Sequence, residues 1–461
     1  MGNSMAIFSS LSRQQKEAVG LLQIGTFLEY FDLLLYVHMA VLLNELFFPK
    51  TDPHTAAIIS AFAFCSTYAL RPFGALVFGW IGDNIGRKPT VVITTIMMAV
   101  SCIIMASLPT YAEIGISAAW IITICRLVQG LSSMGEIIGA EVYLTEVIPL
   151  PQRYPCVAFI RVINDLGSLS ALGVAALVTM AGMNWRIAFW IGACIAVVGS
   201  IARARLRETP EFVGAKKRMK NAVENANRDG SLAAENLKNT DPRWQEKVNI
   251  QTIISCFLMY CGYPLCFFIS FIFCGNLLKT QFGYTAAQVI QQNLVVGLVA
   301  FASSFIFATL SQKIFPLKLI KIKCLITSFF SLCTPFLLNI IDSPLQLLMF
   351  QSFCIFFTLS IMPASAVILI HFPILKRFTM ASLLFAVACA FVSIVSSFGI
   401  VYLVELMGNY GLYLITIPIC IGYFYGVNHF EKLENQKHHQ VHTPHPLSTK
   451  PNELKLTEMN S

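Results

Sequence analysis

The sequence contains few charged residues. Asp, Glu, Lys and Arg together make up 12% of the 461 residues, whereas hydrophobic residues make up 56%. Soluble globular domains carry about 25% charged residues, so this composition excludes a soluble domain. It predicts a protein that crosses a membrane several times through apolar helices.

Several kinds of chemical site are also missing from the sequence. The stretch from Gly82 to Lys88 lacks the spacing of a phosphate-binding P-loop, and no pattern of nucleophile or metal ligands occurs. The 14 cysteines lie within or beside apolar stretches, and Cys256, Cys261 and Cys266 follow a five-residue step that rotates around a helix. We therefore expect no enzyme activity, no cofactor, no metal and no disulfide framework.

Roughly twelve apolar stretches are long enough to cross a bilayer, which needs about 20 residues per helix. Six precede and six follow a long polar interval, and a polar tail comes last. We expect an all-α membrane protein with units at residues 1–206, 207–249 (a cytoplasmic linker), 250–428 and 429–461 (a cytoplasmic tail). The predicted stretches are 19–43, 55–81, 90–109, 116–145, 156–181, 186–206, 250–278, 286–311, 318–340, 344–371, 379–406 and 410–428.

Most basic residues fall on one side of this layout. An excess of Lys and Arg marks the cytoplasmic face of a membrane protein, so both termini are expected in the cytoplasm. Lys323 is counted there, near the inner end of the ninth stretch. The net charge of +8 then sets orientation and does not indicate nucleic-acid binding. The exceptions are Lys50, Arg186 and Lys279 on the outer side, and Arg71, Arg126 and Arg161 within the membrane.

The first apolar stretch carries two acidic residues. Glu29 and Asp32 are three residues apart and Tyr36 follows four later, so all three lie on one helical face. An ionisable group in the hydrocarbon costs at least about 2.5–3.5 kcal/mol, which makes each one a candidate for function. These carboxylates either pair with a basic residue to hold the bundle together, or bind a proton or a cationic group of a substrate.

A stripe of polar side chains follows the fourth stretch. Its members recur at steps of three and four residues and therefore share one face, which lines either a polar cavity or a buried seam. Glu141 lies off this face, and a structural role is equally open there. In the fifth stretch, Arg161 and Asp165 are four residues apart and can neutralise each other. The stripe comprises Arg126, Gln129, Ser133, Glu136, Ala140 and Tyr143.

A charged turn ends the second stretch. Its sequence, Gly79-Trp-Ile-Gly-Asp83-Asn-Ile-Gly86-Arg87-Lys88, resembles the loop signature of the major facilitator superfamily. The resemblance implies two six-helix bundles around a central site that opens alternately to each side. It also implies that Gly79, Asp83, Gly86, Arg87 and Lys88 form a gating motif on the inner face. Near Gln312, where the second half would repeat the signature, the motif is eroded, so we expect the only strong charge lock at the first copy.

Further stretches resemble the metabolite:proton symporters within this superfamily. Asp165-Leu-Gly-Ser, followed by Gly173, is most similar to the proline/glycine-betaine transporters, whereas Arg161 and Glu141 depart from that group. The other matching stretches are Gly25–Asp32 with Tyr36, Arg71–Ala75, Arg126–Gly130 with Gly135, Glu136 and Tyr143, Trp185–Phe189, and Glu208–Phe212.

Together, the residues and the resemblance predict a proton-coupled importer of a small polar metabolite, with a zwitterion such as proline or betaine favoured. Arg126 or Arg161 would hold the substrate's carboxylate, and the proton gradient would supply the energy. The protein is expected to be a monomer in a bacterial inner membrane. An organic-acid symporter or exchanger, of the dicarboxylate type, and a transport-inactive sensor are the alternatives. The candidate proton carriers are Glu29, Asp32, Glu136 and Asp165.

Overall fold

The computed structural model describes residues 12–48, 68–84, 87–133, 137–204 and 248–442. Within these ranges the regular structure is helical and contains no strand. The predicted all-α fold is confirmed. Six stretches of the described chain are long and apolar enough to cross a membrane. The full count of twelve crossings stays a prediction.

Eight helices lie in the described part of the first half, and ten lie in that of the second half. The first set is α1 (Arg13–Phe47), α2 (Arg71–Asn84), α3 (Arg87–Ser107), α4 (Tyr111–Ile114), α5 (Ile116–Ser132), α6 (Ile137–Val147), α7 (Arg153–Met180) and α8 (Arg186–Ala204). The second set is α9 (Ile250–Tyr260), α10 (Gly262–Phe267), α11 (Cys274–Thr280), α12 (Ala286–Leu310), α13 (Pro316–Ile340), α14 (Pro344–Phe356), α15 (Ser365–Leu369), α16 (Ile374–Ile394), α17 (Ile400–Met407) and α18 (Tyr413–His442).

Local sequence signals fix several helix starts. Ser12 and Gln15 form a reciprocal capping box that satisfies free amides at the start of α1. Thr285 caps α12 in the same way with Gln288. Pro316 stands at the first position of α13, where its missing N–H is not needed. These three helices therefore begin at the first residue of the predicted apolar stretch or a few residues before it.

Three predicted helices are interrupted in the described chain: the seventh, the tenth and the eleventh, which passes through a π-helical turn at Val395–Gly399. The tenth stretch, expected to be continuous over 344–371, is broken between α14 and α15. Pro363 lies in the break, where a proline removes a backbone donor and opposes helix continuation. The seventh stretch passes through a π-helical turn at Phe268–Phe273, a feature often found at functional sites. The break matters most, because its backbone and side chains face a cavity.

The last helix continues beyond residue 428, where the polar sequence predicts a tail. Its polar residues are held by partners on other helices, which explains why the predicted end was too early. Thr252 Oγ1 lies 3.0 Å from His429 Nε2, and His371 Nε2 lies 2.8 Å from Glu434 Oε1. Lys321 forms an ion pair with Glu431.

The two halves meet through long helix pairs. α7 packs against α1 within the first half and against α12 of the second half, and α2 packs against α16. The α1–α7 approach is close: a Cβ atom on Gly167 would lie 2.5 Å from the carbonyl oxygen of Phe27. Small residues at such crossings allow backbone contact inside a membrane. Both α7 and α12 line the candidate site.

Candidate functional site

A cavity lies between the two halves of the chain. It is bounded by α7 on one side and by α12, α13 and the break after α14 on the other, and the space within it that a water molecule can occupy is about 20 Å³. Apolar atoms come from Ala158, Phe307 and Ile355, among others. The polar side chains that line it are Arg161, Asp165, Ser303, Ser304, Lys323, Thr358 and Ser360.

Arg161 and Asp165 of α7 form a two-pronged ion pair in this cavity. Arg161 Nη2 lies 2.8 Å from Asp165 Oδ1, and Arg161 Nε donates to Asp165 Oδ2 at 3.1 Å. The guanidinium group also stacks 3.9 Å from the ring centre of Tyr263, which belongs to the second half. Such bidentate pairs are strong and directional. The mutual neutralisation predicted from their spacing is present.

The count of basic residues assigns Lys323 to the cytoplasmic face, whereas the structure places it against the cavity. It is 4% exposed and lies inside α13. The helix begins at Pro316, seven residues earlier, which puts Lys323 about 10 Å along the helix axis.

The surroundings of Lys323 contain a ring and a hydroxyl-rich wall. Its Nζ lies 4.5 Å from the ring centre of Phe307. Among the described residues, no carboxylate forms an ion pair with it, since Asp165 is engaged by Arg161. The cavity therefore carries two cations and one anion, and only the charge of Lys323 is left uncompensated by a described ion pair.

Glu29 and Asp32 lie elsewhere, in a smaller cavity within the first half. Both are buried, at 4% and 3% exposure, and they share this cavity with Thr94, Thr95 and Ser132. The structure thus brings these two predicted carboxylates together, as their spacing indicated. It separates them from Asp165, which lines the cavity between the halves.

Arg126, Tyr36 and Gln129 form a packed polar cluster. The Arg126 guanidinium lies 4.0 Å from the ring centre of Tyr36, and its Nη1 donates to Gln129 Oε1 at 2.9 Å. Arg126 is 1% exposed and lines neither described cavity. This part of the helical stripe is a buried seam. Tyr143 is half-buried against a separate apolar cluster, and Glu136 lies outside the described residues.

Glu141, for which the sequence leaves a structural and a functional role equally open, is also a buried carboxyl group. It is 6% exposed in α6, and its Oε2 atom has no hydrogen-bond partner among the described residues. α6 packs against α15 and α16 of the second half, so this carboxyl lies where the two halves meet. Its position in an otherwise apolar stretch was the available signal.

The predicted gating motif is only partly described. Gly79 is buried, and a Cβ atom there would lie 4.0 Å from Thr379 Oγ1. The side chains of Asp83, Gly86, Arg87 and Lys88 lie outside the described part of the chain. Other ion pairs join the halves: Arg377 Nη1 lies 2.7 Å from Glu146 Oε1, and Lys279 Nζ lies 2.6 Å from Glu45 Oε1. The expectation of a single strong charge lock stays a prediction, because the charged side chains of that motif lie outside the described residues.

The Major Facilitator Superfamily model matches residues 22–373. The chain belongs to this superfamily. Its structure superposes on the proton:xylose symporter XylE bound to 6-bromo-6-deoxy-D-glucose with a TM-score of 0.69 and 18% identity, over 93% of this chain and 96% of the other. A partially occluded inward-open XylE from E. coli gives a TM-score of 0.66 at 15% identity, over 91% and 98%. At these identities, the likeness shows the shared fold.

Curated relatives of this superfamily member match it over a shorter span. A proline/betaine transporter of Salmonella typhimurium is 33% identical over 208 residues, which is 43% of this chain and 41% of the relative. The inner membrane metabolite transport protein YhjE of Escherichia coli is 34% identical over 43% of this chain and 47% of its own length. The match thus spans less than half of these relatives. The family confirms the expectation that the chain is not an enzyme.

Proposed function

We propose that this chain is a proton-coupled secondary transporter that imports a small polar metabolite by alternating access, with a zwitterion such as proline or betaine favoured. The observation that carries the proposal is the cavity between the two halves, where the buried Asp165 and Lys323 lie with the half-buried Arg161. Buried ionisable groups in a membrane domain mark substrate and ion pathways. A site between two structural repeats is where such transporters bind their cargo.

The Arg161–Asp165 pair suggests how a proton and a substrate are coupled. When Asp165 is ionised, it occupies the Arg161 guanidinium through both oxygens. A proton on Asp165 removes its negative charge and weakens the pair, so that Arg161 becomes available to a substrate carboxylate. Proton and substrate then bind together and are released together. Asp165 is the carrier that this geometry favours among the candidates Glu29, Asp32, Glu136 and Asp165, to which the structure adds Glu141.

The ion pairs at two places between the halves fit alternating access. Glu45 and Lys279 lie near the ends of α1 and α11, whereas Glu146 and Arg377 lie near the end of α6 and the start of α16. In the proposed orientation, with both termini cytoplasmic, the first pair lies outside and the second inside. Each pair would open in one of the two access states, because charges at helix ends exchange a partner for water at little cost.

Two other functions are alternatives to a proton-coupled zwitterion importer. An organic-acid symporter or exchanger is favoured by the excess positive charge of the cavity, which comes from Lys323. A transport-inactive sensor would signal through residues 207–249, most of which lie outside the described residues. The relatives named as transporters and the inner-membrane relative support a transporter of a bacterial inner membrane, and we propose that it works as a monomer.

Uptake into proteoliposomes tests the proposal. The full chain is reconstituted, and uptake of labelled proline, glycine betaine and succinate is measured with and without an imposed inward proton gradient. We expect the gradient to drive accumulation of at least one zwitterion and Asp165→Asn to abolish that accumulation. Asp342→Asn, the same change at an exposed residue outside the cavity, should retain it. Uptake that ignores the gradient would favour an exchanger, and binding without counterflow would favour the sensor.

A further inference from the structure

We propose that Lys323 is the anchor for a carboxylate group on the transported molecule, so that a carboxylate is required for binding in the cavity between the halves. This inference rests on the proposed function, because it names the chemical class of the substrate at the same site. It places a binding residue for the substrate's carboxylate in the second half of the chain. The sequence predicts only Arg126 or Arg161, both in the first half, for this role.

The buried charge of Lys323 supports this inference. A cation buried in the protein interior is costly unless an anion or several hydrogen-bond acceptors accompany it. Lys323 is 4% exposed and forms no ion pair among the described residues; Asp165 acts on it only from a distance, because it is bound to Arg161. The adjacent ion pair of Arg161 and Asp165 is internally neutral. A ligand carboxylate would therefore complete the charge balance of the cavity.

The side chains that line the cavity also suit a carboxylate ligand. Ser303, Ser304, Thr358 and Ser360 line the same cavity and have hydroxyl groups. Ser303 Oγ already donates to the carbonyl oxygen of Phe356 at 2.6 Å, and Thr327 Oγ1 donates to that of Phe357, so part of the broken helix end is satisfied internally. Ser304 Oγ likewise donates to the carbonyl oxygen of Phe301 at 3.0 Å, so Thr358 and Ser360 are the hydroxyls that can donate to an anion. The rest of the lining is apolar, which suits the small carbon skeleton of an amino acid or a short organic acid.

The position of Lys323 relative to Arg161 supports the same inference. Lys323 belongs to the second half and Arg161 to the first, and both line one cavity. A carboxylate has two oxygens and can accept hydrogen bonds from both groups at once. A ligand held in this way would connect the two halves, whereas an amine or a neutral analogue would leave Lys323 unpaired. Binding energy would then depend on the carboxylate more than on the remainder of the molecule.

Equilibrium binding to the purified full chain tests this without requiring transport. The probes are proline with prolinamide and glycine betaine with choline, pairs in which only the first member has a carboxylate, together with succinate. We expect at least one carboxylate to bind and its counterpart without a carboxylate to bind about tenfold more weakly or worse. Lys323→Gln should lose a comparable factor, and Lys323→Arg should recover part of it because it retains the cation.

Lys321→Gln is the matched control. It removes the same charge two residues earlier on α13, where Lys321 is paired with Glu431 and lies outside the cavity. We expect its carboxylate affinity to stay within about twofold of the wild type, since charges on the exposed surface contribute little. The inference is overturned if no carboxylate in the panel binds, if choline or prolinamide binds as tightly as its partner, or if Lys323→Gln matches Lys321→Gln. Uptake that lacks proton coupling would refute the proposed function and leave the binding result intact.

Discussion

The two halves of this protein use buried charge differently. Among the described residues, the first half buries Glu29, Asp32, Arg71, Arg126, Glu141 and Asp165. The second half buries Lys323 at its centre, and its other buried charges, Arg377 and Glu434, lie near helix ends. The first half thus holds several buried carboxylates that can carry a proton, and one of the described ones, Asp165, is paired with a cation of the same half, Arg161. The second half presents one uncompensated cation. The difference suggests that coupling resides in one half and substrate recognition is shared with the other.

Breaking the paired charges of the first half should have the largest effect. Asp165→Asn leaves the Arg161 guanidinium buried without its carboxylate, and removing one member of a buried pair costs about 3–5 kcal/mol. We expect a correspondingly lower melting temperature in detergent. The double variant Arg161→Met, Asp165→Leu should recover much of the loss, because no buried charge remains. A single variant as stable as the wild type would show that the pair is solvated.

The packing of the first half offers the next largest effect. A Cβ atom on Gly167 would lie 2.5 Å from the carbonyl oxygen of Phe27, so Gly167→Ala must push α7 away from α1. Overpacking of this kind costs about 1–3 kcal/mol. Gly173 lies on the same helix with nothing within 4 Å of the corresponding position, and Gly173→Ala should be tolerated. Equal melting temperatures for the two variants would contradict the described α1–α7 approach.

The single cation of the second half should respond in the opposite direction. Lys323→Met removes an unpaired buried charge and loses a contact with the Phe307 ring. Because the desolvation of the charge outweighs a cation–π contact, we expect the ligand-free protein to gain about 1–2 kcal/mol of stability. Thermal unfolding without ligand measures this. A clear loss of stability would mean that Lys323 serves structure, with a partner that satisfies its charge.

The ion pairs between the halves should give the smallest effects. Lys279 and Glu45 are 32% and 52% exposed, whereas Arg377 and Glu146 are 9% and 23% exposed. Exposed pairs contribute between about 0.2 and 1 kcal/mol, and water screening weakens them further. We expect Glu45→Gln to change stability by less than about 0.5 kcal/mol and Glu146→Gln by about 1 kcal/mol. If Glu45→Gln lowers stability more than Glu146→Gln does, then the Lys279–Glu45 pair is the stronger of the two ion pairs, contrary to this prediction.

Much of the fold could be predicted from the sequence because apolar length and loop composition determine membrane helices. The spacing of Arg161 and Asp165 predicted their ion pair, since residues four apart on a helix are neighbours. Lys323 could not be placed in this way. Basic residues near the inner end of a membrane helix usually extend toward the interface, and composition alone does not separate such a lysine from one that faces a cavity.

Periodicity also has a limit that Arg126 illustrates. Steps of three and four residues show which side chains share a face, but they do not show what covers that face. Here Tyr36 covers Arg126, and the predicted cavity is a seam at that point. The break between α14 and α15 lay in an apolar stretch, so hydropathy gave no sign of it. It contributes Thr358 and Ser360 to the actual cavity.

Counterflow in proteoliposomes tests the central claim most directly, because it measures movement through the binding site without a driving gradient. Vesicles loaded with an unlabelled carboxylate that the wild type binds are diluted into the labelled compound at equal pH on both sides. We predict rapid exchange by the wild type and Lys321→Gln, and none by Lys323→Gln. Exchange by Lys323→Gln at the wild-type rate would contradict the claim that the cavity between the halves carries the substrate.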